Sequence, residues 1–263
     1  MAIATGHPAK YDRPMSRPAP RLYVTAPLHA GAEIALEKAQ AHYLTNVLRL
    51  GAGAEVRLFN GRDGEWRTVI ADAGKRGATL SAEVLIRPQA APAPLVLAFA
   101  PLKKDAMDFL VAKATELGVT ELRPILTERT EARRVNLERI GAQLVQAAEQ
   151  CERLEVPSVS EPEPLADFLA GWAAERPLWC GDETGRGQPF AAALQEFRGP
   201  EGAHGILIGP EGGFTEGELA RLAGLAFARR IDLGPRILRA DTAALAALAC
   251  WQALLGDPHR LNQ

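Results

Sequence analysis

The pattern of hydrophobic and polar positions divides the chain into two regions. Within residues 21–88 the pattern alternates over short stretches, such as 53–60 and 66–70, which predicts β-strands. Asn60-Gly61, between these two stretches, is typical of a hairpin turn. One stretch with helical spacing, 38–50, interrupts the strands. The region therefore predicts a small β-barrel with one helix, close to the lower size limit for independent folding.

From residue 95 onward, buried strands alternate with helices. The predicted strands are 95–100, 122–126, 177–180, 205–208 and 230–233. The predicted helices are 105–117, 137–151, 190–197, 216–225 and 241–255. This alternation is typical of an α/β domain with a mostly parallel sheet.

Proline-rich segments separate these units. Residues 1–20 contain four prolines and no periodic pattern, so we expect a flexible extension rather than a secretory signal. Residues 89–94 have the composition of a Pro/Ala linker. The predicted organisation is an extension (1–20), a barrel (21–88), a linker (89–94) and an α/β domain (95–263).

The charge of the chain is unevenly distributed. The net charge of −2 argues at first against nucleic acid as a partner. Residues 1–90, however, carry 12 Lys and Arg against 8 Asp and Glu, whereas residues 91–263 carry 18 against 24. A basic excess suits a segment that meets phosphate groups, although sampling variation in a short stretch explains it equally well.

The cysteines and the apolar runs exclude several protein classes. Cys151, Cys180 and Cys250 are odd in number and widely separated, which excludes a disulfide framework and suits a reducing cytoplasm. No His or Cys spacing indicates a metal site. The longest apolar run near the C-terminus, 243–251, is too short to span a bilayer.

The strongest local signal is a glycine-rich loop between a predicted strand and a predicted helix. Gly209-Pro-Glu-Gly-Gly213 ends the strand, and Thr215 with Glu218 has the spacing of a helix capping box. Glycine lets a ligand approach the backbone closely, and α/β sheets bind ligands at the carboxyl ends of their strands. A tight turn without a ligand is the alternative. The glycine-rich loop has neither the residue spacing of a phosphate-binding loop nor that of a dinucleotide-binding loop.

A second signal follows the last predicted strand. Leu233-Gly-Pro-Arg-Ile-Leu-Arg239 precedes Asp241-Thr-Ala243 at the start of a helix. The helical stretch 243–251 is apolar on every side, so it must be covered all round. A partner subunit, an unusual chain threading or an ordinary place in the core can supply that cover.

Together the two segments resemble the SPOUT methyltransferase superfamily and, within it, the bacterial 16S rRNA uracil-N3 methyltransferases of the RsmE type. Further matching stretches occur in the same order, and the similarity covers about residues 21–255. They are Pro20–Val24, His42–Arg49, Leu58–Gly61, Lys103–Asp108, Lys113–Gly118, Gln146–Gln150, Arg153 and Val156-Pro157. Asp241 departs from the family, which usually has Glu before Thr-Ala.

The resemblance implies an N-terminal PUA-like RNA-binding β-barrel and a C-terminal SPOUT α/β domain with a trefoil knot. It implies a cytoplasmic homodimer that uses S-adenosylmethionine as methyl donor and holds its active site at the dimer interface. The implied reaction methylates N3 of a uridine, position 1498, in 16S rRNA, within the 30S subunit. No membrane or metal partner is expected.

The resemblance also implies where the methyl donor binds, among three loops of the α/β domain. The expected donor contacts are Leu178, Cys180, Gly181, Asp182, Glu183, Leu207, Ile208, Gly209, Pro210, Gly212, Gly213, Leu233, Gly234, Ile237, Leu238, Thr242 and Ala243. For Cys180, a buried and unreactive thiol is the favoured interpretation.

Four charged residues on these loops are candidates for the chemistry. Uracil N3 carries a proton that must leave, and the negative charge then spreads onto O2 and O4. Arg236 and Arg239 can stabilise that charge, and Glu211 or Asp241 can take the proton or orient an arginine. The alternative is that these arginines and carboxylates form purely structural ion pairs.

The RNA-binding candidates are Arg21 and Arg49 in the barrel and Lys103 and Arg153 in the α/β domain. Glu149 and Gln150 lie in a matching motif too, and an ordinary exposed helix face is the alternative for the α/β candidates. Other basic residues of the barrel are interleaved with aromatic ones, which suits RNA. They are Arg57, Arg62, Arg67, Lys75 and Arg76, with Tyr23, Phe59 and Trp66.

Two other functions stay open at this point. The same fold would suit a methyltransferase for a ribose 2′-hydroxyl. A non-catalytic RNA-binding assembly factor would keep the fold and lose the donor, although the intact glycine loop argues against it.

Overall fold

A computed structural model describes residues 19–74, 77–199 and 202–256. Most of the predicted extension 1–20 lies outside the described residues, as do Lys75 and Arg76. Two separate sheets are present, one on each side of the proline-rich segment 88–94.

The first sheet forms an N-terminal unit that we call the β domain. Its strands are β1 (Arg21–Tyr23), β2 (Glu33–Ala35), β3 (Glu55–Phe59), β4 (Glu65–Gly74) and β5 (Gly77–Arg87), in the order β1-β3-β4-β5-β2. β1 pairs with β3 in parallel and the other pairs are antiparallel. Ile34, Leu58 and Leu80 belong to its buried core.

The predicted helix 38–50 is present in a shorter and less regular form. Helix α1 (Lys38–His42) continues as a π-helical turn over Tyr43–Val47. Arg49, just after this turn, has a φ of 57°, the left-handed region that a non-glycine residue rarely adopts. A π-helical turn contains one more residue than an α-helical turn. The apolar spacing in the sequence predicted a regular α-helix and did not reveal this additional residue.

The second sheet and its helices form the α/β domain. The strands are β6 (Leu95–Phe99), β7 (Glu121–Leu126), β8 (Ser158–Val159), β9 (Glu163–Pro164), β10 (Leu178–Gly181), β11 (Gln188–Pro189), β12 (His204–Ile208) and β13 (Ala228–Asp232). The helices are α2 (Lys104–Glu116), α3 (Leu137–Gln150), α4 (Leu165–Gly171), α5 (Phe190–Glu196), α6 (Glu216–Ala223) and α7 (Ala240–Leu255).

The strand pairs of this sheet are all parallel, where the alternation of strands and helices predicted a mostly parallel sheet. The order is β11-β13-β10-β12-β6-β7-β8, with β9 also paired to β7. Five helices were predicted within about two residues of their ends, and only the seven-residue α4 was missed. Such a short helix shows too few turns for its spacing to be recognised.

Alternate residues of the central strands face two different helical layers. Trp179, Ile206 and Ile208 pack in the layer that contains α2, α3, α5 and α7. Leu178, Cys180 and Leu207 pack in the opposite layer, with α4 and α6. The sheet is thus covered on both faces, which suits its continuous apolar strands.

Helix α7 is only partly covered within one chain. Ala244, Leu248 and Trp251 are buried against the sheet and its helices. Leu254 remains 40% exposed, and Ala249 and Ala253 are exposed as well. The expectation that this apolar helix is covered all round is therefore not met by one chain alone.

The β domain packs against one edge of the parallel sheet. Helices α2 and α3 each start where a strand ends, so their last residues return to the edge where the strands begin, which we call the amino edge. Arg21 of β1 donates to the carbonyl of Ala148, near the end of α3, at 2.7 Å. The opposite edge, where the strands end, is called the carboxyl edge.

Candidate active site

A cavity of about 440 Å³ opens at the carboxyl edge, where β10, β12 and β13 end. Its volume lies in the range of small-molecule sites. Three loops from distant parts of the sequence line it. The lining residues are Gly181–Gly185, Ile208–Gly213, Ile231–Leu238, Ala240 and Ala243.

The glycine loop needs glycine most strongly at Gly213. Its φ is +70°, and a Cβ atom there would lie 2.0 Å from Oε1 of Glu183. The same Oε1 accepts a hydrogen bond from the backbone N–H of Phe214 at 3.1 Å. Glu183, from the loop after β10, therefore holds the end of the glycine loop in place.

Helix α6 starts immediately after this loop with the predicted capping box. The N–H of Glu218 donates to Oγ1 of Thr215 at 3.3 Å, and the N–H of Thr215 donates to Oε2 of Glu218 at 2.8 Å. Oε1 of Glu218 also accepts from the N–H of Glu128 at 2.9 Å. The Glu218 carboxylate thereby connects the loop after β7 to the start of α6, next to the glycine loop.

An arginine that was not predicted braces the other side of the glycine loop. Arg129 Nη1 donates to the carbonyl of Gly212 at 2.8 Å. Arg129 lies in the loop that follows β7, at the carboxyl edge, and this position is the sequence signal that could have identified it.

Asp182 is a buried carboxylate in the cavity wall. It accepts from the N–H and Oγ1 of Thr184 at 2.9 and 2.7 Å, and from Nε of Arg230 at 2.8 Å. Burial alone would raise the pKa of Asp182, but these hydrogen bonds and the nearby guanidinium outweigh it and lower the pKa. Asp182 is thus held ionised and fixes the loop after β10.

The four catalytic candidates are grouped around the mouth of the cavity. Glu211 and Arg236 line it, whereas Arg239 and Asp241 lie just beyond, at the start of α7. Among the residues that the structure describes, neither arginine forms a hydrogen bond or an ion pair through its guanidinium group. Asp241 instead accepts from the N–H of Thr242 at 2.6 Å. The alternative of structural ion pairs between these groups is therefore wrong in this conformation.

Four of the expected donor contacts do not line the cavity. The side chains of Leu178, Cys180 and Leu207 are buried in the layer of α4 and α6, and Thr242 is exposed outside the lining. Burial raises the pKa of the Cys180 thiol to about 12, which agrees with the unreactive thiol that the sequence favoured. The other expected donor residues all line the cavity.

Two of the RNA-binding candidates have a different place from the one expected. The Arg21 side chain is 6% exposed, and its Nε pairs with Glu65 at 2.5 Å. Arg153 donates to the carbonyls of Thr115 and Val119 at 2.8 and 2.7 Å. Both arginines lie at the contact between the β domain and the α/β domain. This corrects the expectation that they face RNA, because their donors are occupied by protein groups.

Glu149 belongs to the same contact. Its Oε1 accepts from the N–H of Tyr23 at 2.8 Å, and burial raises its pKa despite that hydrogen bond. The other two candidates are accessible: Arg49 is exposed on the β domain, and Lys103 is exposed beside Glu131, with 3.6 Å between Nζ and Oε2. The structure therefore leaves Arg49 and Lys103 as RNA-binding candidates.

Two further properties concern the described part of the chain. Within it, no group of His, Cys, Asp and Glu side chains has the arrangement of a metal site. None of its helices combines the length and the apolar character needed to cross a membrane.

Family models match both parts of the chain. A model described as an RNA methyltransferase domain matches residues 89–252, and a model described as an RNA methyltransferase PUA domain matches residues 36–83. The first match alone spans more than half of the sequence. The all-parallel sheet of that region supports the SPOUT assignment.

Characterised sequences and solved structures agree with these matches. The ribosomal RNA small subunit methyltransferase E of Rickettsia conorii is 33% identical over 87% of this chain and 93% of its own length. The enzyme of that name from Synechocystis is 34% identical over 89% and 78%. The crystal structure of ribosomal RNA small subunit methyltransferase E from Neisseria gonorrhoeae, bound to S-adenosylmethionine, has a TM-score of 0.82 and 30% identity over 90% of this chain and 98% of its own.

A methyltransferase of Legionella pneumophila, also in complex with S-adenosylmethionine, has a TM-score of 0.81 and 26% identity over 91% and 99%. These similarities cover from 87% to 91% of this chain. The protein therefore belongs to the ribosomal RNA small subunit methyltransferase E family.

Proposed function

We propose that this protein transfers a methyl group from S-adenosylmethionine to N3 of a uridine in 16S rRNA, at position 1498. The observation that carries the proposal is the cavity at the carboxyl edge, where a glycine loop meets an unpaired arginine, Arg236. Family membership supplies the rRNA of the small ribosomal subunit as the substrate class.

The cavity fits an adenosyl group with a charged tail. Ile208, Leu233 and Leu238 provide apolar surface, and the glycines provide backbone without side chains. The carboxylates of Asp182 and Glu183 line one wall of the cavity, and their negative charge suits the positive charges of the donor. We assign donor binding to Gly181, Asp182, Glu183, Ile208, Gly209, Pro210, Gly212, Gly213, Leu233, Gly234, Ile237, Leu238 and Ala243.

S-adenosylmethionine supplies an electrophilic methyl group when bound. Glu211, exposed at the cavity mouth, takes the proton from uracil N3, and the electron pair of that N–H bond remains on the base. Arg236 and Arg239 then stabilise the negative charge on O2 and O4. Guanidinium groups without protein partners are suited to this because no existing ion pair must be broken.

The proposal includes a homodimer and a trefoil knot. The uncovered side of α7 and the side chain of Ile237, which is 91% exposed beside the cavity, support a second copy that covers them. The trefoil knot is carried over from the family resemblance, and the cavity lies among the loops that follow β10, β12 and β13. The β domain acts as a PUA-like barrel, with Arg49 on its surface.

The proposed substrate is the rRNA of the 30S subunit in the cytoplasm. Cys151, Cys180 and Cys250 are free thiols, which suits a reducing compartment. Parallel reactions on assembled 30S particles and on protein-free 16S rRNA distinguish the two forms of the substrate.

The test is identification of the methylated nucleoside. The protein is incubated with S-adenosylmethionine and 30S subunits from a strain that lacks the homologous enzyme, and the digested rRNA is analysed by mass spectrometry. We expect 3-methyluridine. A 2′-O-methylated nucleoside would support the ribose methyltransferase instead, and no heat of donor binding in calorimetry would support the non-catalytic assembly factor.

Replacing Arg236 tests the proposed mechanism. Arg236→Gln should lower the single-turnover rate by roughly a hundredfold to a thousandfold, the usual cost of losing a group that stabilises developing charge. Donor affinity should change much less. An unchanged rate with saturating donor and RNA would remove Arg236 from the mechanism, and the same experiment applies to Arg239.

A further inference from the structure

A group of unpaired cations lies beside the cavity on the same edge of the sheet. Lys104 is the first residue of α2, and Arg133 and Arg134 lie in the segment 127–136 between β7 and α3. All three side chains are exposed. None of them forms a hydrogen bond or an ion pair with any residue that the structure describes. We call these three residues the basic strip.

The sheet order places the basic strip next to the cavity. β12 carries the glycine loop, β6 pairs with β12, and β7 pairs with β6. The residues that follow β6 and β7 therefore lie successively farther from the cavity along the carboxyl edge. Lys104 follows β6, and the two arginines follow β7.

Two contacts fix this position. The hydrogen bond from Arg129 to the carbonyl of Gly212 attaches the segment 127–136 to the glycine loop. The ion pair of Lys103 with Glu131 joins that segment to the start of α2. The segment is thus held beside the donor site while the basic strip itself stays available.

Within the segment 127–136 three arginines stand against two carboxylates. Glu131 is paired with Lys103, so its charge is compensated. Glu128 is the other carboxylate of the segment, which also contains Arg129, Arg133 and Arg134. Exposed guanidinium groups with free N–H donors match the geometry of phosphate oxygens.

We propose that the basic strip binds phosphates of the RNA strand that carries the target uridine, on the flank of that base. The inference rests on the proposed function and names a surface for it. The β domain docks at the amino edge, so it lies across the α/β domain from the cavity of its own chain. A strand whose base enters the cavity therefore meets the basic strip as the adjoining cationic surface.

The test is the salt dependence of RNA binding. Arg133→Gln, Arg134→Gln and the double variant are compared with wild type, with protein-free 16S rRNA as the probe. Each lost phosphate contact should reduce the slope of log K against log salt concentration by about 0.7–0.9. The double variant should bind roughly tenfold more weakly at about 0.1 M salt.

Arg221→Gln is the matched control. Arg221 is also exposed and without a side-chain partner among the described residues, but it lies in the last turn of α6, away from the carboxyl edge. Its variant should keep the wild-type slope. Donor affinity, measured by calorimetry, should be the same in all of these proteins.

Three results decide the inference. If the double variant keeps both the affinity and the salt slope of the control, the basic strip does not bind RNA. If binding weakens on 30S subunits but not on free rRNA, the strip contacts a ribosomal protein and the proposed phosphate contact is wrong. If the wild type fails to bind S-adenosylmethionine but the slope still falls in the variants, the proposed function fails and the RNA contact stands.

Discussion

At the amino edge of the parallel sheet arginines are surrounded by protein acceptors, whereas at the carboxyl edge several have none. Arg21 at the amino edge pairs with Glu65, stacks 3.6 Å above the ring of Phe59 and reaches two backbone carbonyls in addition to that of Arg153. Arg236 and Arg133 at the carboxyl edge form no such contacts among the described residues. The same residue type thus joins two domains at one edge and stays available for a ligand at the other.

The charged groups at the two edges differ in their exposure to water. Glu65 is buried between Arg21 and Arg87, with both of its oxygens accepting. Burial would raise the pKa of Glu65, but the two guanidinium groups outweigh it and lower the pKa. Burying a charge costs free energy unless a partner compensates it, so these groups are fully paired. At the carboxyl edge the cations are exposed, so water can solvate them without a protein partner.

The largest expected effect tests the amino edge. Arg21→Ala leaves Glu65 with one of its two buried partners, so the free energy of unfolding should fall by about 3–5 kcal/mol. Urea unfolding measures the change. Arg21→Lys keeps the charge and loses the forked geometry, so it should still destabilise the protein. Unchanged stability together with weaker RNA binding in Arg21→Lys would return Arg21 to the RNA-binding surface.

The next effect tests the carboxyl edge, at the glycine loop. Gly213→Ala places a side chain at a φ of +70° and against Glu183, so donor binding should weaken by roughly a hundredfold. Gly212→Ala meets Arg129 only at 3.5 Å and has no such φ, so its effect should be far smaller. Calorimetry with S-adenosylmethionine compares the two. Equal losses would show that the loop does not depend on the left-handed residue.

Between pH 6.5 and 4.5 the largest pH dependence of stability should arise at the amino edge, because the lowered pKa of Asp182 at the carboxyl edge acts only at lower pH. His204, at the start of β12, is buried, and burial followed by the charge of Arg176 lowers its pKa to about 4. Its ring Nδ1 accepts from the indole N–H of Trp179 at 3.1 Å. The folded protein therefore holds the neutral form, which the unfolded chain loses below pH 6.5.

Stability contributed by neutral His204 is complete above pH 6.5 and decreases as the pH falls toward 4. Between pH 6.5 and 4.5 the free energy of unfolding should drop by about 2–3 kcal/mol. His204→Gln keeps an acceptor for Trp179 and removes the titration, so most of this slope should disappear. An identical pH profile in the variant would assign the slope to other groups.

The smallest effect concerns Arg129, which braces the glycine loop from the β7 side. Arg129→Ala removes the hydrogen bond to the carbonyl of Gly212 and a longer one, of 3.4 Å, to the carbonyl of Phe214, so donor affinity should fall by a factor of about five. Arg221→Ala, in the last turn of α6, is the control and should bind the donor as the wild type does. A loss of RNA binding without any loss of donor affinity would place Arg129 in the basic strip instead.

The sequence alone located the five longer strands and the helices α2, α3, α5, α6 and α7 of the α/β domain, together with the main motifs. Strand and helix periodicity located the parallel sheet, and the proline-rich segment marked the change from one sheet to the other. The glycine loop and its capping box were found where they were expected, because both depend on residues that are close in sequence. Family resemblance added the donor and the reaction, which no periodicity can reveal.

Only the tertiary structure decided what each arginine does. Arg21 and Arg236 have the same side chain, but one is enclosed by groups from residues 65 and 148–153 and the other stands at an open cavity. The partner atoms of Arg21 lie up to 132 residues away in the chain. A count of charges along the sequence cannot distinguish the two, because the cost of burying a charge depends on neighbours that only folding brings together.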